Sequence, residues 1–540
     1  MSSKLVRGTF LLTLGSFISK FLGIIYLIPF YQIIGGAGPA ALYMFGYTPY
    51  TIFISIATAG VPLAISKFIS KYNALEEYEV SRQLFKTGIL LMSITGLVSF
   101  LLMYSLAPVF ASIVLPENNK VYTVADVTTV IRAVSFALLL VPIMSAIRGF
   151  FQGHQSMGPT AVSQVVEQIV RIAFLLVGTY VVLRIMDGEM VTAISVATFA
   201  AFVGAAASLA VLVVYWVKRK PYLDELLTKS KGQLNPSIPN LLKEMMMSAI
   251  PFIVVGIAMS LYQLVDQSTF LHAMRLSDVN DETAKNALGV MNFTTHKLVV
   301  LPVTFATAFS LTLVPLITES YVNQEREKLV HNLNQAFQML LFITVPAVVS
   351  LVVLAEPIYA VFYEQSEFGS HILAVYAPVG LLFGGFSVTA AILQGINRQR
   401  FTLLSFLVGF ITKIVLNVPL IYLFQTEGAI LATAIGYGIS VSLNLWAIKH
   451  FAHYSFTLVM RRAIFISAMN VIMGIAAFVS LKLISPLFHF SSKFQSLIVV
   501  CIAGTIAVLV YVYIGLRSKL MDRLFGQKVT KLRNKLKAFG

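Results

Sequence analysis

Long apolar runs alternate with short polar breaks along the whole chain. A helix needs about 20 apolar residues to cross the hydrocarbon core of a bilayer. Fourteen such runs can be read: 8–34, 43–66, 87–113, 127–150, 158–183, 190–217, 245–272, 288–318, 329–355, 370–395, 401–424, 428–448, 463–481 and 494–516. The breaks carry turn chemistry, as in Gly-Ala-Gly-Pro at 36–39, Pro-Glu-Asn-Asn at 116–119 and Asn-Arg-Gln-Arg at 397–400. Ten-residue alternating strands, the mark of a membrane barrel, do not occur. The pattern therefore predicts an all-α polytopic membrane protein with 14 transmembrane helices.

The pattern also repeats. Gln152-Gly153 stands 242 residues before Gln394-Gly395, and Arg171 stands 242 before Lys413. Val61-Pro62-Leu63 returns as Val314-Pro315-Leu316 at an offset of 253, which requires an insertion between the copies. Six helices per copy is an even number, so both copies should lie the same way up, related by a pseudo-two-fold along the membrane normal. The expected organisation is an N-lobe at 1–217, a cytoplasmic linker at 218–244 that can form an amphipathic helix, and a C-lobe at 245–450. Spans 13 and 14 follow at 451–516, then a basic tail at 517–540. In that tail Leu520, Leu524, Leu532 and Leu536 sit among cations, a pattern suited to an anionic inner leaflet. The alternative is an ordinary positively charged cytoplasmic end.

Composition agrees with a chain built for lipid. Of 540 residues, 58% are apolar and 11% are charged, where a soluble domain carries about 25% charged. Soluble enzymes, nucleic-acid binders and disulfide-stapled domains are excluded, the last because Cys501 is the single cysteine. With the N-terminus in the cytoplasm, 28 Lys and Arg fall on cytoplasmic segments and six on outer ones. That bias supports fourteen spans with both ends inside. No cleavable signal peptide and no lipidation motif is evident.

Seven charges remain within the spans: Lys20, Arg132, Arg171, Lys297, Lys413, Glu167 and Asp266. A charge at mid-helix costs at least about 2.5–3.5 kcal/mol on insertion scales, so a surplus of cations calls for a reason. An anionic passenger, a phosphate or diphosphate, supplies one. Lys20 and Lys297 lie deepest and are the first candidates for a cavity. Glu167 and Arg171 are four apart on one helix and are expected to pair with each other. Arg132 either faces the cavity or snorkels to the outer surface. Lys413 either joins the cavity or neutralises Asp266 as a structural pair. His154 and His296 read as loop or interface residues. Pro62, Pro251, Pro302 and Pro315 are candidate bend points. No phosphate loop, zinc-protease motif or nucleophile elbow is present, so no enzyme is expected.

Three stretches carry a family resemblance: Gly15-Ser16-Phe17-Ile18-Ser19-Lys20-Phe21-Leu22-Gly23, Ala59-Gly60-Val61-Pro62-Leu63-Ala64, and the run from Arg148-Gly149-Phe150-Phe151-Gln152-Gly153 to Arg171. The chain resembles the multidrug/oligosaccharidyl-lipid/polysaccharide exporter superfamily. Within it, the chain is similar to the lipid II flippases of Gram-positive bacteria and the sporulation proteins related to them. The resemblance implies alternating access between two six-helix lobes, a groove for an isoprenoid tail at spans 13 and 14, and a basic cavity for the diphosphate headgroup of lipid II. Lys20 and Lys297 keep the cations of the family's first and eighth helices. Two further family arginines fall at Tyr26 and near Phe53, and Arg132 and Arg171 are candidates to replace them. A sodium site in some members uses carboxylates in helices 7 and 11. Asp266 matches the first, but Lys413 stands at the second, which argues against sodium. No cofactor is implied. The implied partners are lipid II or a related undecaprenyl-diphosphate glycolipid, anionic inner-leaflet lipids and wall-synthesis proteins. Rival expectations are a flippase for another lipid-linked glycan, a drug/cation antiporter and a non-transporting scaffold.

Overall fold

Every regular element among the described residues of the computed structural model is helical. The described residues are 15, 18–19, 21–23, 25–35, 37–58, 60–114, 122–154, 156–232, 237–488, 490 and 492–525. Nine helices among them are long and apolar enough to cross a membrane. The chain divides into two compact units, Met1–Ser268 and Thr269–Gly540. The division falls within the helix Ile238–Leu276 rather than in the 218–244 link.

Several expected spans are broken or extended for local reasons. The run 43–66 is two helices, Ala37–Thr58 and Val61–Ala74. Gly60 between them takes φ 80°, a left-handed backbone open to glycine, and Pro62 then starts the second helix, where its missing N–H costs nothing. The run 370–395 is split into Glu367–Tyr376 and Val379–Gly395, with Pro378 at the joint. The runs 401–424 and 428–448 form one path, Gln399–Phe451, turned at Gln425 with φ 50° and ψ −128°. Val124–Ser135 opens with a capping box: Thr123 Oγ1 accepts from Asp126 N, and Asp126 Oδ2 accepts from Thr123 N.

The first half of the expected linker is not separate. Met190–Thr228 runs on without interruption through residue 228. Its last turns dock on their own unit. Leu223 is buried, Arg82 bonds Asp224 at 3.2 Å, and Lys231 bonds Glu76 at 2.9 Å. Arg82 also lies 4.8 Å over the Trp216 ring, which stacks on Phe85. The tail behaves in the same way. Leu520 and Leu524 are buried against Phe342, Met469, Met473 and Tyr511, so this part of the tail packs on protein instead of presenting leucines to lipid. Leu532 and Leu536 lie outside the described residues.

The repeat is visible bond by bond. His154 N donates to Phe150 O and Ser156 N to Phe151 O. At the offset of 242 in sequence, Ile396 N donates to Ile392 O and Arg398 N to Leu393 O. Ser163 Oγ donates to Thr160 O, and Ser405 Oγ to Thr402 O, each at 3.0 Å. Two copies of one turn-and-helix segment thus fold alike in the two units.

Candidate functional site

In the first unit, the Arg148–Gly153 motif does two jobs. Its glycines let the helix Val61–Ala74 come close. A Cβ on Gly149 would lie 2.5 Å from Pro62 O, and one on Gly153 would lie 2.7 Å from Ile69 Cγ2. Gln152 is half-buried in the last turn, where its carbonyl accepts from His154 N. Arg148 reaches the other way. Its Nη2 donates to Glu167 Oε2 at 2.8 Å and to Ser208 Oγ at 2.8 Å, and its Nε donates to Ser163 Oγ at 2.9 Å. One guanidinium thereby joins the helices Ala137–Gly153, Gly158–Tyr180 and Met190–Thr228. Ser163 and Ser208 are fully buried.

This corrects the expected Glu167–Arg171 pair. Glu167 is taken by Arg148, because a guanidinium from a packed helix offers charge and several aligned donors at once. Arg171 turns instead to the helix Ala37–Thr58. Its Nη2 donates to Tyr47 Oη at 2.9 Å, and its guanidinium lies 5.4 Å from the Tyr47 ring centroid. Tyr43 stacks on Tyr47 at 5.5 Å, Tyr50 follows at 5.3 Å, and Phe30 meets Tyr43 edge-on at 5.3 Å. Among the described residues no carboxylate lies within ion-pair distance of Arg171. The tyrosines were missed in the sequence. Positions 43, 47 and 50 follow helical spacing and share one face, a signal open to reading.

The remaining candidates part company. Arg132 lies 4.8 Å over the Tyr104 ring, and its Nε donates to Tyr104 O at 3.4 Å, at the C-terminal end of the helix Tyr78–Ser105. That carbonyl end favours a cation. Arg132 therefore meets a helix end in an exposed setting and is not joined to the Arg171 cluster. Lys20 lies outside the described residues. Lys297 is half-buried near the start of the helix His296–Val322, with its ammonium 3.9 Å over the Phe293 ring. A π-helical turn, Val290–Thr295, precedes it. His296 Nδ1 and Tyr376 Oη are 2.9 Å apart, and His154 Nδ1 is 3.1 Å from Asn73 Nδ2. Each histidine takes a neutral hydrogen-bond partner from a packed helix.

Lys413, at the register of Arg171 in the second unit, lies in a different setting. It has no exposed surface; its Nζ donates to Ala429 O at 3.0 Å and to Thr433 Oγ1 at 2.8 Å. These bonds tie the segments on either side of Gln425 to each other. Asp266 is also buried, at 4% exposure. Three residues along the same helix, Thr269 accepts from Asn417 at 2.7 Å.

Among the described residues the chain is helical and polytopic, with two units, a repeated segment in each and cations inside its spans. The comparisons carry this further. The chain superposes with TM-score 0.64 on a lipid II flippase MurJ in an inward closed conformation, at 16% identity over 95% of this chain and 99% of the other. It superposes with TM-score 0.62 on an outward-facing multidrug resistance MATE family transporter of the MOP superfamily, at 16% identity over 83% and 96%. Residues 5–321 match the polysaccharide biosynthesis protein family and residues 251–423 the MatE family. The lipid II flippase MurJ of Bacillus subtilis (strain 168) is 45% identical over 98% of each chain, and stage V sporulation protein B of the same organism is 25% identical over 76% of each. The fold is that of the exporter superfamily. The chain belongs to the polysaccharide biosynthesis protein family and, within it, to the family of the lipid II flippase MurJ.

Proposed function

We propose that this protein is a lipid II flippase of the bacterial plasma membrane. It carries the undecaprenyl-diphosphate-linked peptidoglycan precursor from the inner to the outer leaflet by alternating access. The observation that supports this most strongly is the 45% identity to the Bacillus subtilis flippase, sustained over 98% of both chains. Cations within apolar spans support it chemically, since a diphosphate that enters hydrocarbon needs its charge met. Lys20 and Lys297 are assigned to draw in the diphosphate. Both termini lie in the cytoplasm, where the cations of the tail suit anionic inner-leaflet lipids. Wall-synthesis proteins are fitting neighbours, because the flipped precursor is their substrate. The protein is assigned no covalent chemistry and no cofactor, and Lys413 at the second carboxylate position argues against a sodium site. The membrane potential is available to bias the cycle, with about 2.3 kcal/mol for one charge crossing 100 mV.

Vesicle reconstitution, following the sidedness of lipid II, tests the proposal. Wild-type protein should move the lipid across, and Lys20→Ala or Lys297→Ala should slow it tenfold or more. Full translocation by both variants would remove these residues from the site. The 25% identity to stage V sporulation protein B favours a second reading, a flippase for another lipid-linked glycan. Complementation of a strain depleted of its lipid II flippase separates the two, and growth is expected.

A further inference from the structure

The geometry points to an anion subsite inside the first unit, built from Arg171 and the tyrosines of the helix Ala37–Thr58, its charge left unpaired because Arg148 engages Glu167. It rests on the proposed function and adds to it a second place where the diphosphate is held. Three observations converge. Arg171 is the cation of the repeat that has not been sealed away: it is half-buried, and its described hydrogen bond goes to a neutral hydroxyl. A guanidinium has five N–H donors in a rigid fork, so one bond to Tyr47 leaves donors for phosphate oxygens. Because Arg171 donates to Tyr47 Oη, the tyrosine keeps its own proton to offer to the same anion. Tyr43 and Tyr50, both buried, pack on either side of the Tyr47 ring and hold it in place.

The second part of the inference concerns Glu167. It stands one helical turn from Arg171, at a spacing that favours pairing on an isolated helix. A Glu167–Arg171 pair would cancel the charge that the anion needs. The Arg148 clasp prevents this, holding Glu167 at 2.8 Å and tying its own fork to Ser163 and Ser208. Arg148 is thus a positioning residue: by holding Glu167 it leaves the permanent charge of Arg171 uncompensated. The ligand class is a phosphate or diphosphate ester, and the source in a bilayer is the headgroup of a polyprenyl diphosphate.

The test uses full-length protein in nanodiscs, titrated with lipid II, undecaprenyl diphosphate, inorganic pyrophosphate and undecaprenol. Wild-type protein should bind the first two and not undecaprenol; binding of pyrophosphate alone would show an ion site with no lipid role and overturn the lipid assignment. Arg171→Gln should weaken binding of undecaprenyl diphosphate at least tenfold, and Tyr47→Phe about threefold. Arg148→Ala should weaken it as much as Arg171→Gln, and Arg148→Ala with Glu167→Gln should restore it to within threefold of wild type. A merely structural clasp would give no such recovery at a temperature where every variant is folded. If Arg148→Ala does not fold, Arg171→Gln decides alone, since it lies outside the clasp. Wild-type protein that binds neither polyprenyl diphosphate overturns the flippase reading itself. Wild-type binding that Arg171→Gln leaves unchanged overturns only the subsite.

Discussion

Arg171 and Lys413 stand at one register of two repeats, 242 residues apart. Arg171 keeps part of its surface and lies against tyrosine hydroxyls. Lys413 is sealed, with a backbone carbonyl and a threonine hydroxyl on its ammonium. The neighbouring polar contacts differ in the same sense. Ser163 and Ser405 are equivalent, yet Ser163 meets the charged Arg148–Glu167 pair, whereas Ser405 donates to Asn444 Oδ1 at 2.6 Å and Asn444 Nδ2 donates to Thr389 Oγ1 at 3.1 Å. One unit has a charged clasp and an accessible cation. The other has a neutral clasp and an enclosed one. Duplicated helices thus keep their backbone bonds while their side chains take on separate work, because a buried position constrains polar satisfaction and leaves charge free to vary.

The clasps offer the largest test of that contrast. Arg148→Ala leaves the half-buried Glu167 without its partner and should destabilise the protein by about 3 kcal/mol, the low end for a broken buried pair. Asn444→Ala removes neutral hydrogen bonds and should cost about 1–2 kcal/mol. Thermal unfolding in nanodiscs ranks the two; equal losses would erase the distinction between charged and neutral clasps. The paired cations come next. Lys413→Ala empties an enclosed site and should cost about 2–4 kcal/mol, while Arg171→Ala should cost about 1 kcal/mol, one hydrogen bond at a half-buried site. A larger loss at Arg171 than at Lys413 would reverse their assigned roles.

The smallest effect comes from the turn after each repeated glycine, where His154 in one unit stands opposite Ile396 in the other. Burial, then Arg82 and Arg219, push the His154 imidazole down to about 4. The unfolded chain binds that proton near 6.5. Between the two values the unfolded state holds more protons, so stability falls as pH falls through this window. From pH 7.5 to 5.5 the loss is about 1 kcal/mol. His154→Gln should flatten that slope, and unfolding midpoints measured at both pH values check it; an unchanged slope would show that His154 is not its source.

The apolar runs made the helices legible, because hydrophobic length alone sets which segments can cross lipid. Their breaks were less so. Gly60 divides a run that reads as one span, since the positive φ it adopts depends on where the neighbouring helix must go. The candidate site was legible as a set of residue types: intramembrane cations announce themselves by their cost. Their fates were not. Tyr43, Tyr47 and Tyr50 carried a usable helical spacing, but nothing along the chain tied them to a residue more than a hundred positions away.

The sequence by itself determined an all-helical membrane chain, its duplication and the short list of charges that lipid would not tolerate without cause, because each of these depends on local composition and spacing. Only the tertiary structure decided which charge met which partner. Glu167 had an acceptable neighbour on its own helix and took Arg148 from another, because helix packing brought a guanidinium already braced by Ser163 and Ser208 within 2.8 Å. Partner choice is settled between helices, and the distances between helices are written in no single one of them.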